Sequence, residues 1–354
     1  LLYFKPVNYR DKACTGLEAF SLLVPDGWGF EGGVRWSADD TMMPATCGFK
    51  VSGNGITVQA LPGQAFFWTS LPHVRMSHPV GSKYLGAMVC PPMGASEFIT
   101  DIMLPALRPD AEEVSIVMES PLVEIGSTLG MDATFKSAGS AASSGACVKV
   151  IYRQNDTQYE EELYSIVTSF EFSVPVGDTP VDYLFWMADP LLSFRAEAGR
   201  LDPAKNILQS MVYSFRFNPL WLEKSNLITL YLKDHQINKP YSLRQLSVDV
   251  DRAAIFTYDR LQSCSLRQSA YQWIAGSLSL GNLTGEYYDP VQQICVQLPQ
   301  GYDQAWASDA GEYLLSNRGD FALDYRFTDA WTPMEPISIE APVGAPSATP
   351  ATYV

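Results

Sequence analysis

Glu160, Glu161 and Glu162 form the longest uninterrupted run of acidic residues in the chain. A glycosidase needs two carboxyl groups flanking a cleft, one as acid and one as base or nucleophile. On a strand the side chains alternate, so Glu161 points away from Glu160 and Glu162. Nothing in the sequence pairs one of them with another carboxylate, and a solvated edge that discourages strand pairing is the expected role. His73 and His78 could bind a metal or act as a base. Their spacing splits them across the faces of a helix, and Pro72 and Pro79 favour a loop. His235 is expected to be exposed. No G-x-S-x-G surrounds a serine, and no phosphate loop occurs. Ser52-Gly53-Asn54-Gly55 lacks the third glycine and following helix of a dinucleotide-binding turn. The expectation is a non-enzymatic protein with no catalytic residue, no cofactor and no metal site.

The six cysteines are Cys14, Cys47, Cys90, Cys147, Cys264 and Cys295. None forms a C-x-x-C pair, which argues against a structural zinc site. Such a dispersed set fits either buried thiols or disulfides. Cys264 and Cys295 share the C-terminal region and are the pair expected to bond, which would imply an oxidising compartment. Eight tryptophans are spread along the sequence. Most read as core and corner residues, while Trp68 and Trp186 are the candidates for stacking on a glycan or small ligand.

These groups must be positioned by a polypeptide of 354 residues, 47% hydrophobic, 18% charged and with a net charge of -15. That length suits more than one domain. The acidic balance makes nucleic acid and anionic membrane poor partners. No run of about 18 apolar residues is present, so no transmembrane helix is expected. The start at Leu1 rather than Met leads us to expect an upstream segment: a signal peptide, an anchor or another domain.

Short β-branched or aromatic runs predict strands at Phe20–Val24, Ile56–Ala60, Tyr84–Cys90, Val114–Met118, Cys147–Tyr152 and Glu171–Val174. Ser52–Gly55 predicts a tight hairpin turn. Ser96 and Asp202 are the expected N-caps of two helices, the second with Pro203 in its first turn. Pro105 should kink or end the first. Ser137–Gly145 reads as a small-residue loop. Residues 246–279 read as a long helix, followed by a hairpin through Ile294, Val296 and Leu298. The stretch FSLLVPDGWGFEGGVRW reads as a structural corner. Pro25 and Gly27 turn the backbone, Trp28 covers the open end, Gly32 and Gly33 permit the return, and Trp36 packs back.

The set VPDGWGFEGGVRW, VSGNGITVQALPGQAFFW, YLGAMVCPPMGASEFITDIMLPALRP and ILQSMVYSFRFNPLW resembles a group of uncharacterised bacterial proteins, mostly exported or surface-attached. YYDPVQQICVQLPQGYDQAWASDAGEYLLS with the later WTPMEP resembles the C-terminal module of its clostridial members. More distantly, the VP-x-GW strand and the helix running into SFRF resemble the Mog1/PsbP-like α+β sandwich. The likeness implies an antiparallel sheet with packed helices and carries over no catalytic residue.

The expected fold is therefore α+β. A PsbP-like domain would span residues 1–225, a long helix and small β module 226–335, and a Pro/Ala/Thr-rich tail 336–354. The expected function is association with a protein partner or with itself, on the cell surface or outside the cell. The alternatives are a glycan or small-ligand binder and a hydrolase with an unrecognised site.

Overall fold

The computed structural model describes residues 1–37, 40, 43–84, 86–122, 140–176, 179–235, 268, 270–272, 274, 283–317 and 331–337. The elements follow one another as β1 (Leu2–Arg10), β2 (Glu18–Pro25), β3 (Gly29–Trp36), β4 (Ala45–Gly53), β5 (Ile56–Leu61), β6 (Gln64–Thr69), α1 (Pro72–Ser77), β7 (Lys83–Tyr84) and β8 (Ala87–Val89). A helical stretch comes next, α2 (Ala95–Phe98) and α3 (Leu104–Leu107) joined by a π turn at Ile99–Met103. Then come β9 (Glu112–Pro121), β10 (Ser140–Gln154), β11 (Thr157–Val176), β12 (Thr179–Glu197), α4 (Leu201–Ser214), β13 (Arg216–Phe217) and α5 (Pro219–His235). The last strands are β14 (Thr284–Asp289), β15 (Ile294–Pro299), β16 (Gln304–Ser308), β17 (Tyr313–Ser316) and β18 (Trp331–Pro336).

Two sheets result. One has the order β13-β2-β1-β17-β16-β18-β14-β15, and the other β3-β4-β5-β12-β11-β10-β9. β12 is long enough to pair β5 along Leu191–Ala196 and β6 along Tyr183–Ala188. The largest core packs α4 against β2 and the second sheet, through residues such as Leu208, Met211, Phe20, Val58 and Phe194. A second core lies on the opposite face of β10–β12, under α2 and the π turn.

The expected helix-packed α+β sandwich is overturned, because the described residues are 55% strand and 21% helix. The short predicted runs are pieces of much longer strands. Cys147–Tyr152 belongs to the 15-residue β10, and Glu171–Val174 to the 20-residue β11. The small residues from Ser140 onward form strand rather than loop, since their backbone pairs with Glu171 to Val167 whatever their side chains. β1 pairs with β17, Phe4 opposite Tyr313, so segments expected in separate domains share one sheet. The long-helix expectation falls mainly outside the described residues, as do Cys264 and residues 338–354 of the tail.

Local signals fare better where chemistry acts at short range. Asn54 and Gly55 have φ 52 and 74, the paired positive values of a tight hairpin turn. Phe215 and Phe217 are buried while Arg216 is exposed, as a period of two requires. Neither expected N-cap caps. Gly94 precedes α2, and Ser96 instead donates to Glu119. Asp202 lies inside the first turn of α4, and Glu160 of β11 accepts the Leu201 N–H. Pro105 is accommodated just after the π turn, where its missing N–H is tolerated.

Residues 25–28 form a tight turn. Trp28 N–H donates to the Pro25 carbonyl, and Gly27 sits at φ +78. Trp28 lies so close to Gly53 that a Cβ there would collide with its indole ring. Gly32 and Gly33 are not at a turn but within β3, where they let Phe49 and Tyr9 approach. Gly27→Val should cost about 1–3 kcal/mol, because a β-branched residue is strained at that φ. Denaturant unfolding checks this, and an unchanged midpoint would contradict it.

Candidate functional site

Alternation along β11 divides the three glutamates as their spacing requires, but all are buried, so the solvated-edge expectation fails. Glu161 is 0% exposed and faces the helical side. Arg108 donates to it through Nε and Nη2, each at 2.8 Å. Tyr152 donates at 2.6 Å and Ser193 at 2.5 Å. This fork satisfies a charge that would otherwise be costly in the core. Burial opposes the charge on Arg108, but Glu161 beside it raises the pKa above its usual value. On the other face Lys149 contacts Glu160 and Asp202 at 3.3 and 3.2 Å, while Lys205 contacts Glu162 and Asp202, both at 2.8 Å. The β11 backbone separates the two groups, so neither face offers a cleft flanked by two free carboxylates.

Arg108 is also the hinge into the next strand. It follows α3 directly, its carbonyl accepts the Ala111 N–H, and β9 begins at Glu112. The buried ion pair therefore fixes where β9 starts.

β9 ends the second sheet, with β10 on one side and no partner on the other among the described residues. Its register against β10 shifts twice, and Glu113 has φ 54. These bulges turn apolar side chains outward. Val114, Ile116 and Val117 are 45, 51 and 51% exposed. Glu112 and Glu113 share Arg153, at 3.3 and 2.9 Å, and Glu119 accepts from Ser96. The edge thus carries three carboxylates against one contacting cation, around an apolar centre. Of these features only the strand Val114–Met118 was legible. Its exposure depends on sheet order, although Glu-Glu before the run was a readable sign of solvent.

Asp11, which no sequence motif marks, joins both sheets to α5. The indole N–H groups of Trp36 and Trp221 donate to it at 3.0 and 3.1 Å, as do Cys14 N–H and Thr15 Oγ1. Trp36 thus packs back by a hydrogen bond as well as by burial.

The remaining candidates disperse. Trp186 is 1% exposed, stacks on Phe66 at 3.9 Å and donates to the Cys90 carbonyl, so it belongs to the core and cannot meet a glycan. Trp68 is half-buried, with the Arg75 guanidinium 5.7 Å from its ring centroid. Cys14, Cys47, Cys90 and Cys147 are buried and in no disulfide. Burial pushes the Cys14 and Cys147 thiols up to about 12, which makes them unreactive. Cys295 is an exposed free thiol, and its expected partner Cys264 lies outside the described residues. His73 sits in the short helix α1 rather than a loop, and His78 ends it with its ring against Tyr84. The side chain of His235 is outside the described residues. Among the described residues no group of three His, Cys, Asp or Glu side chains could hold a metal ion. No described helix is long and apolar enough to cross a membrane.

No protein-family model matches this sequence, and no curated protein matches it.

Proposed function

We propose that this protein is an association module that takes up an extended, basic segment of a partner along β9. One observation carries the reading: an edge strand with no partner among the described residues, with Val114, Ile116 and Val117 exposed between Glu112–Glu113 and Glu119. An added strand would gain main-chain hydrogen bonds from the edge and selectivity from the side chains on it. The carboxylates decide the partner. In an antiparallel pair of two β9 strands, Glu112 and Glu113 of one copy would approach Glu119 of the other, and like charges across a ladder destabilise it. A strand with lysine or arginine at those places and β-branched residues between is the complementary occupant. The proposal includes no catalysis. An exported or surface location belongs to it as well and rests on the sequence resemblance.

The test is fluorescence anisotropy with a labelled peptide of alternating lysine and valine, beside one of alternating glutamate and valine. The basic peptide should bind, more weakly as salt rises. Ile116→Lys should weaken it about tenfold or more, an effect of about 1.4 kcal/mol. Equal binding of both peptides, or no effect of Ile116→Lys, would reject the reading.

A further inference from the structure

A second site lies on the same sheet, away from the β9 edge. Arg195 of β12 pairs in register with Glu161 of β11 and Thr57 of β5, and it is half-buried. Its guanidinium carbon stands 3.7 Å from the ring centroid of Tyr159 and 5.6 Å from that of Tyr152. The two rings fix the plane of the group without neutralising it. Nη2 donates to Gln154 Oε1 at 2.6 Å, and this is its only hydrogen bond to a described residue. Nε is buried and has no acceptor among the described residues.

The charges around it do not balance. Glu161 is taken by both arms of Arg108. Glu197 lies beside Arg200, with 3.5 Å between the charged atoms. Among the described residues no carboxylate is within ion-pair distance of Arg195, so three arginines face two glutamates here. An uncompensated, partly desolvated cation is unusual in a protein of net charge -15. Arg195 also lines a cavity of about 360 Å³ with Ser52, Thr57, Tyr159 and Glu197, and Gly53, Gly55 and Ile56 of the hairpin complete its wall.

We propose that this cavity binds a carboxylate, with Arg195 as its counter-ion and the Ser52 and Thr57 hydroxyls as further donors. A planar carboxylate matches the guanidinium fork. The single surplus charge and the presence of Glu197 select against a dianion such as phosphate. The carboxylate could be a small organic acid, the terminal carboxylate of a peptide or an acidic side chain.

The test is a calorimetric or NMR titration of the whole protein at constant ionic strength. The ligands are acetate, N-acetylglycine to represent a peptide terminus, N-acetylaspartate amide to represent an acidic side chain, and inorganic phosphate. At least one carboxylate should bind saturably and more tightly than phosphate, and the strongest of the three identifies the source. Arg195→Gln should abolish the binding, and Thr57→Val should weaken it several-fold with the fold intact. Phosphate binding as tight as any carboxylate would overturn the proposal, as would no saturable carboxylate binding. If Arg195→Gln fails to fold, Thr57→Val decides, and undiminished carboxylate binding by that variant overturns it.

Discussion

Arg108→Ala is expected to lower the unfolding free energy by about 3–5 kcal/mol, because it strands a fully buried carboxylate. Glu161 would keep its bonds from Tyr152 and Ser193 but lose the two charged ones. The cost comes from the isolated charge rather than from the worth of the pair. The double variant Arg108→Met, Glu161→Leu should recover part of the loss, since both charges leave together while the buried Tyr152 and Ser193 hydroxyls lose their acceptor. Urea unfolding of the single and double variants measures both quantities. A single-variant loss below about 1 kcal/mol, in the range of an exposed ion pair, would contradict the role given to burial. The same substitution bears on function. Arg108 leads into β9, so the Arg108→Ala edge should bind the basic peptide more weakly even where the protein remains folded.

Asp11→Ala should cost about 2–4 kcal/mol by a different route. Each buried donor left without an acceptor costs about 1–3 kcal/mol, and the variant deprives two indole N–H groups at once. Trp221 is 0% exposed and has no access to water as a substitute partner. The indoles lie 6.4 Å apart in an edge-on arrangement, which the shared carboxylate holds. Asp11→Asn keeps one acceptor oxygen and should lose less. Denaturation followed by tryptophan emission reads both effects, since the environment of two indoles changes with the fold. Equal stability of the Ala variant and the parent protein would show that Asp11 does not tie the sheets together.

The parts legible from sequence are those fixed by neighbours a few residues away. The positive φ at Asn54 and Gly55, the corner at Gly27 and the alternation through Phe215–Phe217 all follow from local sterics and burial. Long-range partners decided the rest. Glu160 looked solvated until Lys149 and the α4 N-terminus were brought to it. Ser140–Ser144 looked like loop because small side chains carry no periodic signal, yet β11 supplies a ladder of main-chain partners. Trp186 looked like a stacking platform because the sequence could not place Phe66 against it. β9 was readable as a strand but not as an edge. Sheet order comes from which strands find each other, and that is written in no single segment.

Hydrogen exchange of β9 in the presence of the alternating lysine–valine peptide tests the association reading most directly. We expect slowed exchange of amides between Glu112 and Pro121 that face away from β10, with β10 and β11 unchanged and no effect of the glutamate–valine peptide. Slowing elsewhere, or binding that leaves the β9 amides exchanging as before, would mean that this edge is not where a partner strand adds.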